Sequence, residues 1–554
     1  MKSRKNWRLR IAGMTCEDCA RHVSSALTAV PGVESVQLHH WSSGGASVLT
    51  SDEVGNEMLS DAVSKAGYRA VVDTKQALEG DGQIARAQDA DFDVLVIGGG
   101  SAAFAAAIKV SELGARVAIV EQGTIGGTCV NIGCVPSKTL IKAADVCYHA
   151  AYSNFKGLAA CAPPSEWHKV VQQKDELVAG LRQEKYINVL KAYPNITLIS
   201  GRAELTGGRG VCVNGKTYHP GKIIVATGSR PFAPPIPGLN EAGFLDSEAA
   251  LSLPVLPKTM IVIGGGAIGL ELSQLFDRFG VRVTLLEVLD RIAAAEEPEI
   301  SEALTKYLTD EKLTIHTGIR IPKVVRSAEG YQVQVEIDGT LATLEAEQLL
   351  VTTGRRANTV GFGLDIAGVE LGEKGEIKVD QYLRTSNPDI YAAGDCIGDP
   401  MFVYVAAQAG GIAAENAFNG AGKVFDLSAL PRVTFTDPQI ASVGMTESQA
   451  RASGAQIETA VLPLEYVPRA IASRNTRGLI KLIREKGSER LLGAHVLAAE
   501  AGEVVQEATL AIRFKLTTQD IIRTYHPYLT MVEGLKLAAL TFEKNVKQLS
   551  CCAT

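Results

Sequence analysis

Apolar Trp7, Leu9 and Ile11 alternate with polar neighbours, so residues 7–12 read as a half-buried strand. Residues 17–29 read as a helix stopped by Pro31-Gly32. Val33 to Leu38 and Ala46 to Leu49 read as strands, residues 54–65 as a second helix and Gly67 to Val72 as a last strand. The order βαββαβ predicts a ferredoxin-like domain over residues 1–73. Residues 74–90 are polar without strong periodicity, which predicts a linker.

The pattern then changes. Phe92 to Ile97 is apolar but for Asp93, the mark of a strand buried on both faces. It enters Gly98-Gly99-Gly100-Ser101-Ala102-Ala103, an alanine-rich helix and a strand, Val117 to Val120, that closes at Glu121. The same layout returns 166 residues later: Met260 to Ile263, then Gly264-Gly265-Gly266-Ala267-Ile268-Gly269, a helix, and Val283 to Leu286 closing at Glu287. The expected architecture is α/β, with two Rossmann-like domains, the second (236–360) inserted into the first (91–235 and 361–429). Beyond residue 430 the fingerprints stop, and 430–554 reads as an α+β interface domain.

Composition narrows the class. At 554 residues the chain needs roughly three to four cores. A net charge of −6 offers no nucleic-acid or membrane surface, and no run reaches the ~18 apolar residues of a membrane helix. The basic start, Met1 to Arg10, runs into Gly13, Thr15, Cys16, Glu17 and Asp18 instead of an apolar stretch, so it is no signal peptide, and a cytoplasmic location is expected. Six of the ten cysteines form three close pairs: Cys16/Cys19, Cys129/Cys134 and Cys551/Cys552. In a reducing compartment such pairs point to metal or redox chemistry. Cys147, Cys161, Cys212 and Cys396 stand alone and read as small buried hydrophobes.

Each fingerprint has its full context. Gly98, Gly100 and Ala103 in the first, and Gly264, Gly266 and Gly269 in the second, bring backbone against a pyrophosphate at a helix N-terminus. Glu121 and Glu287, each 21 positions after the second glycine, would receive ribose hydroxyls. Cys129 and Cys134, in Gly126-Gly127-Thr128-Cys129-Val130-Asn131-Ile132-Gly133-Cys134, read as one turn apart on a helix, able to bond or to share a metal. A passive disulfide or two buried thiols is the competing reading.

With Ala226-Thr227-Gly228 and Tyr391-Ala392-Ala393-Gly394-Asp395, these motifs resemble the pyridine nucleotide–disulfide oxidoreductase family from about residue 91 onward. The resemblance implies FAD at the first site, served also by Thr128, Thr227, Gly228 and Asp395, and NAD(P)H at the second. It implies that Cys129 faces the external partner, that Cys134 makes the charge-transfer contact with the flavin, and that Lys138 and Glu271 form the ion pair beside the flavin. It further implies a C-terminal dimerisation domain.

Disulfide-reducing members carry a His-Pro with glutamate five residues after the histidine. Here Glu533 lies five after Tyr528, not after His526, so Tyr528 takes the acid–base slot. A tyrosine, with ordinary pKa near 10, is a poor proton shuttle at neutral pH. The competing reading lets His526 reach the slot by a local shift. Tyr528, Tyr186 in Glu184-Lys185-Tyr186, and the terminal Cys551-Cys552 together resemble the mercuric reductase branch of that family. That implies Hg(II)–thiol complexes as substrate, Hg(II) bound by Cys129, Cys134, Cys551 and Cys552, and a homodimer whose active sites draw the terminal pair from the partner. Branch members generally use NADPH, whereas Glu287 favours NADH; Arg291 is a candidate to compensate, and the choice between NADPH and NADH stays open. Gly13-Met14-Thr15-Cys16-Glu17-Asp18-Cys19 resembles the heavy-metal-associated domain, which implies a soft metal ion on Cys16 and Cys19. Two rivals remain. A disulfide reductase or dihydrolipoyl dehydrogenase needs a working His526, and a metal chaperone or buffer needs no turnover.

Overall fold

The computed structural model describes residues 4–12, 14, 17–38, 45–51, 53–72, 90–159, 161 and 166–548. The chain divides into two units, Met1–Asp89 and Ala90–Thr554. The expected linker at 74–90, except Ala90, and the cysteines Cys16, Cys551 and Cys552 lie outside the described residues.

In the first unit, strands Arg4–Ala12, Val33–Leu38, Gly45–Ser51 and Arg69–Val72 form one antiparallel sheet in the order second, third, first, fourth. Helices Glu17–Thr28 and Asn56–Lys65 bury Val23, Leu27, Leu59 and Val63 against Leu9, Ile11 and Val48 of the sheet. Each such side chain contributes about 1.5–3 kcal/mol. This is the expected ferredoxin-like fold. The last strand starts at Arg69 rather than Gly67, because Gly67 adopts φ +90° as it leaves the second helix. Met14 packs partly buried against this core.

In the second unit, five parallel strands are ordered Ile390–Ala392, Lys222–Val225, Val94–Ile97, Val117–Glu121, Ile196–Ser200. The edge strand at 390 returns from beyond the second fingerprint, so the second nucleotide domain is inserted in the first. That inserted domain holds the parallel sheet Thr314–His316, Arg282–Leu286, Thr259–Ile263, Gln348–Val351. The chain enters and leaves it through a two-strand ribbon, Ser229–Pro231 paired with Arg355–Ala357. Arg432–Thr434, Gln439–Gly444, Leu491–Ala498, Leu479–Glu485 and Ile457–Pro463 form a five-stranded antiparallel sheet. Helices Ala501–Arg513 and Glu533–Leu540 contribute buried residues to its core, giving the α+β domain. Among the described residues no helix is long and apolar enough to cross a membrane.

Candidate active site

Strand Val94–Ile97 is wholly buried and delivers the chain into a turn only glycine can make. Gly98 has φ +120°, and a Cβ there would lie 2.2 Å from the Ala226 carbonyl oxygen. Helix Ser101–Glu112 follows, with Ala103 fully buried beneath it. Its N-terminal amides are the donors a pyrophosphate needs. Glu121 accepts a hydrogen bond from the Gly123 amide at 2.6 Å, and a Cβ at Gly99 would fall 2.7 Å from its other oxygen. Gly394-Asp395 lies close by, since a Cβ at Gly394 would be 3.0 Å from that of Ala102. Asp395 accepts from Ser229 Oγ at 2.7 Å, and Thr227 Oγ1 donates to the Asn358 carbonyl at 2.6 Å. Gly228 adopts φ +71°. A helix N-terminus faced by glycine backbone, with an acid at the next strand end and a second at 395, fits FAD.

The second fingerprint repeats the turn. Gly264 has φ +112°, and a Cβ at Gly269 would fall 1.8 Å from the Gly264 carbonyl oxygen, so helix and strand meet in backbone contact. Gly266 meets no atom within 4 Å and leaves room for a ligand's phosphate. Glu287 is buried and accepts from the amides of Gly265 (2.6 Å) and Leu289 (2.8 Å). Arg291, expected as a compensating cation, instead donates to the carbonyls of Ala294 (2.7 Å) and Glu296 (3.2 Å). This geometry fits a nicotinamide dinucleotide, with Glu287 at the strand end where its ribose would lie.

The redox loop is fastened to the first fingerprint. Gly126 and Gly127 adopt φ +108° and +65°, and a Cβ on Gly127 would fall 2.6 Å from the Gly100 Cα. Cys129 lies in the short helix Gly127–Asn131, whereas Cys134 opens the separate helix Cys134–Ala151. The expectation of one shared helix is thus corrected. Five residues of continuous helix turn about 500° and would leave the side chains about 140° apart. The break at Ile132-Gly133 brings them together, and a Cβ at Gly133 would fall 2.9 Å from the Thr128 carbonyl oxygen. Both cysteines are free thiols, Cys129 partly buried and Cys134 exposed. The hydrogen bond from Cys129 and the nearby Lys138 ammonium pull the Cys134 thiol down to about 7, while partial desolvation of its sulfur and Glu271 oppose them. The same hydrogen bond, with burial, pushes the Cys129 thiol up. Cys134 is therefore the thiolate of the pair, at a helix N-terminus that favours it.

Lys138 Nζ lies 2.6 Å from Glu271 Oε2, and the other Glu271 oxygen accepts the Phe435 amide at 2.9 Å. Tyr186 sits in a turn of π-helix, Gln183–Ile187, edge-on to Phe104 at 4.8 Å. Burial raises its hydroxyl, and a hydrogen bond with Ser101 opposes this. A Cβ on Gly126 would lie 3.6 Å from Tyr186 Cδ2, so the ring flanks the redox loop. Sequence reasoning missed Asn131, whose amide donates to the carbonyls of Ile125 and Gly127 (both 3.0 Å) and whose Oδ1 accepts from Arg182 at 2.7 Å. It also missed Tyr404, raised to about 12 by burial, with Arg432 opposing and Cys134 adding. Asn131 stands inside the redox motif without a role assigned to it there, and no motif marks Tyr404.

At the C-terminal end, His526 is held at both nitrogens, by Glu507 Oε1 (2.8 Å) and the Thr524 carbonyl (3.0 Å), with its side chain 2% exposed. The Glu507 hydrogen bond raises its pKa. Tyr528 is 52% exposed, beside Leu529 at φ +62°. Glu533 is buried, its Oε2 has no hydrogen-bond partner, and burial raises its carboxyl. Cys19 is half-buried in helix Glu17–Thr28. Of the isolated cysteines, Cys396 is buried, as expected, and its thiol is pushed up to about 11 by burial. Cys147 and Cys212 are only half-buried and Cys161 is exposed, contrary to expectation, Cys161 because it lies beyond the end of helix Cys134–Ala151.

Residues 92–410 match the pyridine nucleotide-disulphide oxidoreductase family, 430–539 its dimerisation domain and 8–68 the heavy-metal-associated domain. The chain is 43% identical to a mercuric reductase of Staphylococcus aureus over 551 residues, covering 100% of both. It is 47% identical to a mercuric reductase of Streptomyces lividans over 468 residues, 83% of this chain and 98% of that one. The HOCl-induced flavoprotein disulfide reductase RclA of Escherichia coli superposes with a TM-score of 0.73 at 31% identity, covering 82% of this chain and 100% of that one.

Proposed function

The chain belongs to the pyridine nucleotide-disulphide oxidoreductase family, and on that premise we propose how its residues divide the reduction of Hg(II). The protein is an FAD- and NAD(P)H-dependent oxidoreductase that reduces Hg(II) to Hg(0) in mercury detoxification, and it forms a homodimer. FAD, when bound, relays two electrons from the nicotinamide to the cysteine site. Gly98, Gly100, Ala103, Glu121, Thr128, Thr227, Gly228 and Asp395 hold it, with Lys138 beside its reactive end. Gly264, Gly266, Gly269, Glu271 and Glu287 line the nicotinamide site. Glu287 would repel a 2′-phosphate, so NADH is the preferred donor.

Cys129 and Cys134 take Hg(II) as thiolates, the soft ligands this ion selects. The depressed Cys134 and the Lys138 charge keep one thiolate ready at neutral pH. Tyr186 and Tyr528 offer hydroxyls at the bound ion. Cys551 and Cys552 strip the ion from external thiols and pass it on by ligand exchange, each tail serving the partner's Cys129–Cys134 site. Cys16 and Cys19 perform the same capture in the N-terminal domain. We assign 1–73 to that domain, 74–90 to a linker, 91–235 with 361–429 to FAD, 236–360 to NAD(P) and 430–554 to dimerisation, and place the protein in the cytoplasm.

The observation that carries this reading is the histidine. Reducing a disulfide requires a free general acid for the leaving thiolate. His526 is engaged at both nitrogens by its own chain, and the position five before Glu533 holds Tyr528. When Hg(II) passes from one thiol to another, the departing thiolate takes the proton of the incoming thiol, so no separate general acid is required. The test joins Cys551→Ala with Cys552→Ala. Turnover should fall at least tenfold with Hg(II) on bulky thiols, with flavin reduction by NADH unchanged. Hybrid dimers with a Cys129→Ala Cys134→Ala partner should regain part of the activity. Undiminished turnover in the tail mutant would remove the delivery role.

A further inference from the structure

Helix Cys134–Ala151 carries Lys138 and Asp145, seven residues apart, and helix Ala267–Arg278 carries Glu271 and Arg278 at the same spacing. Seven residues are almost two full turns, so each pair lies on one face of its helix. The faces meet with charges exchanged. Lys138 pairs with Glu271 at 2.6 Å, and Asp145 with Arg278 at 2.6 Å. A third element runs alongside. The Phe435 amide donates to Glu271, the Asp437 amide and carbonyl bond the Gln274 side chain (2.8 and 3.0 Å), and Asp437 Oδ2 accepts from Arg278 at 2.9 Å.

The far end of this ladder is the more deeply built. The Arg278 side chain is 1% exposed, donates to Glu311 at 2.9 Å and lies 4.1 Å over the Tyr148 ring. Arg477 closes the ring by donating to Glu311 (2.6 Å) and Asp437 (3.1 Å), and His149 reaches Asp437 at 3.1 Å. A buried guanidinium with three carboxylates tolerates little displacement, since any broken pair leaves a buried charge. We propose that Arg278, through Asp145 and Asp437, is a positioning residue that sets the register of the two helices and so holds Lys138 and Glu271 against Cys134 two turns away. Helix 134–151 belongs to the FAD domain, helix 267–278 to the inserted domain and residues 435–437 to the interface domain, so the cluster registers three domains at one thiol.

The inference rests on Cys134 being the flavin-side thiolate, and the test separates the two. In reduced holoenzyme the long-wavelength thiolate–flavin absorbance reports Cys134 as thiolate. Cys134→Ala must abolish that band; persistence there would overturn the assignment of Cys134 itself. With that control in place, Arg278→Met and Asp145→Asn are expected to lower the band at neutral pH by about twofold or more, because the Lys138 charge no longer sits in place. Arg278→Lys should retain most of it. Arg477→Met breaks bonds to the same Glu311 and Asp437, and Arg477 itself has no hydrogen bond or ion pair to Lys138, Asp145 or Glu271. It should lower the melting temperature comparably and leave the band intact. Asp145→Asn, at a partly exposed position, decides the matter if Arg278→Met does not fold. An unchanged band in Asp145→Asn, or an equal loss in Arg477→Met, would show that the cluster is structural only.

Discussion

The two nucleotide sites are built on one plan and finished differently. Both turn on a positive-φ glycine, Gly98 or Gly264, whose Cβ would strike a backbone carbonyl across the sheet. At the second glycine they part. Gly100 has the Gly127 Cα 3.5 Å from its missing Cβ, because the redox loop folds back over it. Gly266 has nothing within 4 Å. The acids differ as well. Glu121 is partly exposed and bonds the Gly123 amide, whereas Glu287 is buried and saturated by two amides. The same turn therefore serves one site closed by the chain that carries Cys129 and Cys134, and one left open. A resident cofactor suits the first, and a dinucleotide that exchanges every cycle suits the second.

The contrast breaks first at glycine. Gly127→Ala puts a methyl into Gly100 backbone at a left-handed φ, which costs about 2 kcal/mol or more. Purified protein should lose roughly tenfold or more of its FAD retention, measured by bound flavin absorbance. Gly266→Ala, in open space at ordinary φ, should leave FAD content and melting temperature unchanged and raise only the KM for the nicotinamide. Equal FAD loss in both variants would erase the distinction between closed and open sites.

A smaller effect is expected at the acids. Glu287→Gln removes the charge that opposes a 2′-phosphate while keeping one acceptor. The ratio of kcat/KM for NADH over NADPH should fall by roughly tenfold. An unchanged ratio would assign nicotinamide choice elsewhere. The smallest effect belongs to the N-terminal unit. Removing residues 1–80 takes away a separately folded sheet, and turnover on thiol-buffered Hg(II) should change less than about twofold. Loss of most turnover would tie that unit to the catalytic core.

The βαβ units and the redox loop were legible because their chemistry forces a local pattern. Apolar runs, glycines and a strand-end acid must fall in order along the chain. The ferredoxin-like unit was legible for the same reason, through alternation at Trp7, Leu9 and Ile11. What escaped was what only three dimensions assemble. The break at Ile132-Gly133 hides in a helical-looking stretch, since Ile132 itself carries no helix-stopping signal. Asn131 and Tyr404 act through partners 51 and 27 positions away, Arg182 and Pro431, which no spacing rule connects. Glu507, which holds His526, lies 19 residues upstream on helix Ala501–Arg513. The sequence offered His526 and Tyr528 as competitors, and only the Glu507 contact separates them.

The most direct measurement sets the two substrates against each other. Purified enzyme with NADH receives either Hg(II) in excess small thiol or, separately, oxidised glutathione or lipoamide, and nicotinamide oxidation and released Hg(0) are recorded together. A site with His526 engaged and Tyr528 in the slot should turn over Hg(II), with Hg(0) leaving in step with the nicotinamide oxidised, and show at least about a hundredfold lower kcat/KM on either disulfide. Equal or faster disulfide reduction, or nicotinamide oxidation without Hg(0), would contradict the assignment of this site to mercury.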